Sequence, residues 1–548
     1  MNYAFIIKAV KSAALCIMKL KNIIQNIVLL TSLITPQVLS AEELPEDPNV
    51  AGPKPQRTGQ WYRTDPSTQP VKLREGDVSV VVAARAEYTG SIFPGKGMTG
   101  QHGVAGFYSP QEVLTFYVDS PVEAEYEISL ILASPDVQTI EVSCGDDQIT
   151  TPSLERTWRS APRNWRQHLP GTLRLKKGVN KVKFRLPEST VKPSTERRDL
   201  PTHIDQLEFM LYSIEFGTPE ARKAQVARAR EIKGDSSWMK EGKYGLFVHF
   251  SANMYGWQSD KVRAEWHEES VNMFDVKHFV NEVERTGAAW VIFTVTHQGF
   301  YWPGPNKAVD KILPGRTTER DLIMEIADEL ATRDIDLLLY FHSGYNGVRA
   351  SEWRKALGAE YGAADTSEFN ENIISILTEC SLRYGKKVKG FGYMDGCLMH
   401  DYPLDPHWES WARAIKAGNA DAVVGFSSNQ GPTVSPFSSL ATRDGGFGLT
   451  ETNPELIGPG KQFGDVDSAW WCAMDTWCPH KPLKGEWTTG GPKQKTENYV
   501  KYFLEMDKKN VPVTINICLT ADVTKDHDIF DPECMAVMEA IRKAVRGQ

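Results

Sequence analysis

The spacing of apolar residues changes character twice along the chain. From residue 77 to residue 216, apolar and polar positions alternate in short runs, as at 78–82, 113–118, 126–132 and 179–186, with turn residues between them. A period of two belongs to strands buried on one face. No helical period interrupts it, so an all-β sandwich is expected over 77–216. Residues 217–240 are charged and helical in period, a connector ending near Trp238. Beyond residue 241 the runs become almost wholly apolar, at 244–250, 288–297, 335–343, 388–394, 422–428 and 511–519. Amphipathic stretches accompany them at 275–287, 320–334, 369–384, 405–418, 496–509 and 531–545. Strands apolar on both faces, each followed by an amphipathic helix, indicate a parallel sheet covered by helices. Six such units are clear, and 440–490 leaves room for two more strands, near 446–450 and 468–474. Eight units over 241–548 close naturally into a barrel. The predicted fold class is α/β: a (β/α)8 TIM-like barrel preceded by an all-β sandwich. An open doubly wound sheet is the alternative, but it would more often carry a glycine-rich phosphate loop after its first strand, and none is present.

The amino-terminal residues follow neither pattern. Lys8, Lys11, Lys19 and Lys21 precede the apolar run 23–39, and the first acid is Glu42. This is the layout of a secretory signal, with Val38-Leu39-Ser40-Ala41 at the cleavage site. Residues 1–41 are read as a signal peptide and 42–76, rich in Pro, Gly and charge, as a flexible lead. A retained single-span anchor is the other reading of 1–41. No later stretch reaches the roughly 18 apolar residues that cross a bilayer. An exported protein, periplasmic or extracellular, with no stable membrane span after processing is therefore expected. Loss of the leader removes four Lys and no acid, taking the formal charge from −8 to −12. An acidic chain without a basic cluster is a poor partner for nucleic acid. Seven Cys then remain, at 144, 380, 397, 472, 478, 518 and 534, with no zinc spacing; only Cys472 and Cys478 are close enough in sequence to suspect a bridge. Fifteen Trp and eighteen Tyr supply flat rings that serve sugar clefts and large cores alike.

In a barrel of this kind the chemistry sits at the carboxyl ends of the strands. Reading those ends gives His249, His297, His342 with Ser343, Asp395, and Asn429 or Gln430. Asp395 closes an apolar strand in Gly392-Tyr393-Met394-Asp395-Gly396, so rigid backbone holds it and Gly396 permits a tight turn after it. A carboxylate so placed is a candidate nucleophile, or else only a cap for the following loop. Three imidazoles on strand ends converge on one site. Zinc is their rival explanation, but zinc-binding His usually have closely spaced partners or carboxylates, so neither metal nor cofactor is expected. The loop after the first strand brings Ala264-Glu265-Trp266-His267, and after the second come Phe300-Tyr301-Trp302. Carboxylates accept from sugar hydroxyls while rings pack on C–H faces.

These segments resemble the glycoside hydrolase family 29 α-L-fucosidases. YGLFVHF (244–250) resembles that family's W-F-G-x-F-x-H-W strand, and Glu265-Trp266 its E-W-Y. VIFTVTHQGFYW (291–302) resembles V-V-L-T-x-K-H-H-D-G-F-x-x-W, and Glu319-Arg320-Asp321-Leu322 resembles K-R-D-L. The segment ending in Asp395-Gly396 resembles the W-F-D-G that carries the nucleophile, and 513–517 resembles L-L-N-I. The series runs in order over about residues 240–545. The resemblance implies a retaining exo-glycosidase that releases terminal fucose or a related sugar from extracellular oligo- or polysaccharide. Asp395 would be its nucleophile, with His249, Glu265, Trp266, His297 and Trp302 lining the sugar pocket. His342, from the strand ends, and Trp471 complete the candidate substrate-binding set. Retention needs a second carboxyl about 5–5.5 Å from the first, serving as acid and then as base. Glu451 is the first choice because it follows a candidate strand; Asp467, Asp475 and Glu486 stay open.

Two departures bear on specificity. The family's double His is His297-Gln298 here, with one residue fewer before Gly299, and its W-E segment appears as Trp470-Trp471-Cys472. A related sugar, a substituted fucose, a catalytically inactive glycan-binding barrel and a metal-dependent hydrolase are the competing readings. The sandwich resembles carbohydrate-binding modules of families 6 and 35 through Arg85-Ala86-Glu87, Phe116-Tyr117-Val118 with Tyr126, and a run ending at Gly178. Tyr108, Trp158 and Trp165 are its candidate stacking rings.

Overall fold

The structure, a computed structural model, describes residues 69–96, 102–153, 165–193, 208–250, 260–297, 300–342, 351–358, 367–395, 408–426, 435–443, 470–476, 492, 494–517 and 529–547. The expected signal peptide and most of the lead lie outside the described residues, as do Trp158, Gln298, Ser343, Asn429, Gln430, Glu451, Asp467, Cys478 and Glu486.

Two six-stranded sheets form the amino-terminal sandwich. The first runs Val71–Lys72, Val113–Ser120, Gly178–Arg185, Thr139–Cys144, Asp147–Pro152, with Glu87–Tyr88 added against Val113–Ser120. The second runs Trp165–Leu175, Ala124–Ala133, Met210–Gly217, His102–Ala105, Phe93–Lys96, with Ser79–Val82 against Met210–Gly217. Alternation decides the inner face. Leu114, Phe116 and Val118 are buried while their neighbours on Val113–Ser120 are half-exposed, and they meet Leu130, Leu132, Val182 and Phe184 in one core. Met210–Gly217 departs from alternation because every residue in it is buried. Its second face, with Ile131 and Ala133, joins the core that also holds the parallel-sheet residues Leu246, Phe293 and Phe341.

A polar lock accompanies that contact. The connector starts with Thr218, whose hydroxyl accepts from Ala221 N, and Pro219 opens the helix Pro219–Ile232. Its Arg222 and the sandwich residue Arg166 both reach the buried Glu215, at 3.3 and 2.9 Å. Further along, Arg228 bridges Asp77 (2.6 Å) and Glu409 (2.8 Å), tying sandwich, connector and the helix Trp408–Ile415. The connector holds a second short helix, Ser237–Gly242.

Eight parallel strands follow. In the order of hydrogen bonding they are Val423–Phe426, Gly390–Asp395, Asp336–His342, Trp290–Thr294, Tyr244–Val248, Val513–Asn516, Trp470–Thr476 and Leu440–Arg443. In chain order this is five, four, three, two, one, eight, seven, six, so the first strand lies between the second and the last. No ladder joins the fifth and sixth strands among the described residues. One backbone bond and one side-chain bond bridge them instead: Ser439 N donates to Val424 O (2.7 Å), and Ser438 Oγ accepts from Phe426 N (3.0 Å). The sixth strand, Leu440–Arg443, precedes the expected position at 446–450, which lies outside the described residues.

The two faces of this sheet separate by parity. Leu246, Val248, Val291, Phe293, Leu339 and Phe341 pack with the surrounding helices through Phe279, Val283, Ile323 and Ile326. Phe247, Trp290, Ile292, Leu338, Tyr340 and Tyr393 form a separate inner cluster. Trp290 crosses it, donating from Nε1 to Thr514 Oγ1 at 2.9 Å. Gly245 is required there, because a Cβ at that position would lie 2.3 Å from the indole nitrogen. The helices have physical start signals. Asp275, Asp321 and Asp531 each accept from backbone N–H groups of the first turn of the helices Val276–Thr286, Leu322–Ala331 and Pro532–Arg546. No helix of the described residues is long and apolar enough to cross a membrane.

Candidate functional site

The inner face changes from apolar to polar toward the carboxyl ends of its strands. His249 follows the first strand, Thr296 and His297 follow the second, His342 ends the third and Asn516 ends the eighth. All five are buried. The His297 ring centroid lies 6.1 Å from that of His249 and 5.3 Å from that of His342, so three sequence-predicted residues come together. Aromatic rings make the floor. Tyr340 stacks on Tyr393 at 5.5 Å and on His297 at 5.8 Å, while Phe247 meets His249 edge-on at 4.0 Å.

Hydrogen bonds tie this group together. Thr296 Oγ1 donates to His342 O (2.9 Å) and accepts from His342 N (3.0 Å), locking the second and third strand ends together. His249 Nδ1 lies 2.9 Å from Asn516 Oδ1. Burial, followed by the neighbouring His342 and His249, holds His297 well below the usual imidazole range. The ring is thus neutral at physiological pH, with a proton on one nitrogen and a lone pair on the other. Polar groups backed by aromatic rings are the kind of lining that polyhydroxylated ligands use.

The backbone places Asp395 at the end of the fourth strand, in register with His342 on the third. Glu265 and Trp266, expected on a loop, instead occupy the helix Asp260–Met273, which is a correction. Residues 260–273 mix charged and apolar positions without a clear stripe, which hides the helix from a periodicity reading. Trp471 is in register with Ala441 near the start of the seventh strand, and Asp475 stands opposite Ile515. The side chains of Glu265, Trp266, Asp395, Trp471, Cys472 and Asp475 lie outside the described part, and Glu451 does so entirely.

Trp302 stands apart from the imidazoles. It is fully buried in the outer core, 6.5 Å from Phe341 and beside Tyr384 of the helix Ser367–Tyr384. Its neighbour Tyr301 lies 5.6 Å from His267 on Asp260–Met273, with the Arg316 guanidinium 4.5 Å above the Tyr301 ring. Burial pushes His267 down to about 4, while a bond to the Trp302 backbone acts in the opposite sense. The segment 300–302 therefore connects to the helix carrying Glu265 and Trp266 through a neutral buried imidazole. On the sandwich, Tyr108 donates to Glu208 (2.7 Å) and packs against the main core, so its ring is engaged.

Among the described residues, no group of three or more His, Cys, Asp or Glu side chains is arranged to hold a metal ion. Cys144, Cys380 and Cys534 are free thiols. The residues not singled out in the sequence are Asn516, Thr296, Tyr340 and Tyr393. Only Asn516 carried a signal, as the polar residue of the L-L-N-I-like strand.

No protein-family model matches the sequence, and no curated protein matches it. Among solved structures, the chain is similar to a family 29 α-L-fucosidase from Bacteroides thetaiotaomicron, at 16% identity and TM-score 0.37, over 57% of this chain and 75% of that one. It is also similar to an α-L-fucosidase from Lactobacillus casei in complex with α-L-fucose, at 13% identity and TM-score 0.37, over 57% of this chain and 99% of that one. Likeness at these scores assigns neither fold nor activity.

Proposed function

We propose that the parallel sheet closes into a (β/α)8 barrel and that its carboxyl-end face is the active site of a retaining exo-glycosidase, an α-L-fucosidase or close relative. The observation that carries this reading is the register of Asp395 with His342, beside the buried cluster of His249, His297 and His342. The cyclic strand order and the serine bridge between its two ends support closure. The series of fucosidase-like segments in the sequence supports the substrate, a fucose-containing glycan outside the cytoplasm. The sandwich serves as a carbohydrate-binding module, and residues 1–41 direct export.

In this reading the Asp395 carboxylate attacks the anomeric carbon while Glu451 gives its proton to the departing glycosidic oxygen. A glycosyl ester on Asp395 results. Glu451, now a carboxylate, takes a proton from water, whose oxygen attacks the same carbon and releases Asp395. The neutral His297 orients hydroxyls and adds no charge of its own.

The test uses an activated aryl α-L-fucoside with wild type and Asp395→Ala. The substitution is expected to lower kcat by about 10⁴-fold or more, as loss of a covalent nucleophile does. A 2-fluoro-fucosyl donor is expected to leave its sugar on the peptide containing Asp395, read by mass spectrometry. Turnover that survives Asp395→Ala would overturn the nucleophile. The second reading, a glycan-binding barrel without catalysis, is favoured by Gln298 and Trp471 standing where the family pattern has His and Glu. It gains if wild type binds fucosylated glycan and cleaves no aryl glycoside in a broad panel.

A further inference from the structure

Glu319-Arg320-Asp321-Leu322 stands at the start of the helix Leu322–Ala331, and two segments from the carboxyl ends of the strands meet there. One is the helix Asp260–Met273, which carries Glu265 and Trp266 and lies in the chain between the first and second strands. The other is the segment 300–304, which follows the second strand. The last carbonyls of a helix have no partner within it, and Arg320 supplies donors at this end. Its Nη1 donates to Val271 O (2.6 Å) and Asn272 O (3.0 Å), and its Nη2 to Phe274 O (3.0 Å). Glu325 holds the rest of the guanidinium, accepting from Nε (3.0 Å) and Nη2 (2.6 Å). All five N–H donors of the fork are thereby engaged. Asp321 serves the second segment. Its Oδ1 accepts from Met324 N (3.1 Å), capping the helix, and from the Tyr384 hydroxyl (3.0 Å), while Arg383 Nη1 lies 3.4 Å from Oδ2. Gly304 packs on this pair: a Cβ there would lie 3.0 Å from Asp321 Oδ1 and 3.2 Å from the Tyr384 hydroxyl. Gly304 N donates to Trp302 O (2.9 Å), so the contact reaches Trp302, whose ring is buried beside Tyr384.

We propose that Arg320 and Asp321 are positioning residues, a dipeptide clamp that sets the helix carrying Glu265 and Trp266 in place against the segment 300–304. That this placement serves a ligand rests on the glycosidase reading; the clamp itself does not. The two clamped segments also touch each other, since the rings of His267 and Tyr301 lie 5.6 Å apart. The Arg320 half depends on shape as well as charge. A lysine would keep the positive charge beside the carboxyl end of the helix, where the dipole favours it. It offers only three donors from a single point, however, and cannot span Glu325 and the carbonyls of Val271, Asn272 and Phe274 together. The Asp321 half couples two tasks in one carboxylate: the oxygen that caps Leu322–Ala331 also receives the hydroxyl against which Gly304 packs.

The experiment follows backbone hydrogen exchange by mass spectrometry in the full chain, comparing wild type with Arg320→Lys and Tyr384→Phe. Arg320→Lys is expected to speed exchange in peptides from 260–274 by about 10-fold or more, the local effect of losing charge-assisted bonds. Peptides from the sandwich and from 531–546 should exchange as in wild type. Tyr384→Phe removes one hydroxyl and is expected to speed exchange at Trp302 and Gly304 while leaving 260–274 unchanged. Unchanged exchange in either segment under its own variant overturns the clamp, and so does a rise spread evenly over the chain. Should Arg320→Lys fail to fold, Glu325→Gln at the half-exposed end of the fork carries the same test for 260–274. With an aryl α-L-fucoside, Arg320→Lys is expected to lower kcat/KM by about 10- to 100-fold, chiefly through KM. A variant that had merely lost folded molecules would lower kcat in proportion and keep its KM; that result, or an unchanged kcat/KM, overturns the ligand half. If wild type cleaves no aryl glycoside, the glycosidase reading fails while the exchange data still decide the clamp.

Discussion

At the junction of sandwich and connector, Glu215 lies buried between two guanidinium groups; at the strand ends of the parallel sheet, three imidazoles lie buried against aromatic rings. The first cluster keeps its charges and pairs them. Burial raises Glu215, but Arg166 and Arg222 outweigh that and leave it below its ordinary range. Arg166 further donates to Ser129, and Arg222 lies 3.4 Å from Glu127. In the second cluster burial keeps His297 neutral, while His249 faces the Asn516 amide and the His342 backbone bonds to Thr296. Paired charges give a rigid joint with little left to offer a ligand. A neutral imidazole such as His297 keeps hydrogen-bonding capacity without a strong demand for a counter-ion.

The largest expected stability effect breaks the joint. Glu215→Ala leaves two buried guanidinium groups without their shared partner and is expected to cost about 3–5 kcal/mol, read by urea unfolding. Activity per folded molecule on an aryl fucoside should stay as in wild type. A variant as stable as wild type would show that the pairing contributes nothing to the joint.

Next in size, pH separates the two kinds of burial. His267 is lowered from 6.5 to about 4, so below pH 6.5 the unfolded chain takes up a proton that the folded chain refuses. Its contribution is complete above that pH and lost as pH falls toward 4, a loss of about 3 kcal/mol. His297 acts with the same sign, and so does His168 beside the junction, lowered by burial and by Arg222 and Arg166. Glu215 has the depressed carboxylate's behaviour: its contribution stands above the unfolded value of 4.5 and goes only as pH falls through its lower folded value. Unfolding curves between pH 7 and 4.5 should therefore fall in wild type and less steeply in His267→Gln, while paired carboxylates matter only at lower pH. Equal slopes in the two proteins would remove His267 from this account.

A smaller effect tests the strand-end cluster itself. His297→Gln keeps a donor and an acceptor and is expected to change stability by about 1 kcal/mol or less, an ordinary value for a substitution without a large cavity. It should lower kcat/KM on an aryl fucoside by about 100-fold, since a site built around specific hydrogen bonds responds strongly to their displacement. A large fall in stability with no change in kcat/KM would make His297 a core residue like its aromatic neighbours.

The helices were legible because capping and periodicity agree. Val276–Thr286, Thr496–Lys508 and Pro532–Arg546 lie within a residue or two of the expected 275–287, 496–509 and 531–545. The sixth strand, Leu440–Arg443, was displaced from its expected place because L-A-T-R offers only two apolar residues and follows a run of serines. Those serines are what hold it to the fifth strand.

The sequence by itself determined most strands of the parallel sheet, though not the sixth, and which of them carry His249, His297, His342 and Asp395 at their carboxyl ends. Continuous apolar runs and the amphipathic stretches between them encode that locally. It did not say which apolar residues face inward, because a strand buried on both faces has no periodic signal to distinguish Phe341 in the outer core from Tyr340 beneath the imidazoles. Nor did it join His249 to Asn516, which stand 267 positions apart. Parallel pairing of the first and last strands brings them within bonding distance, and only tertiary structure decides that contact.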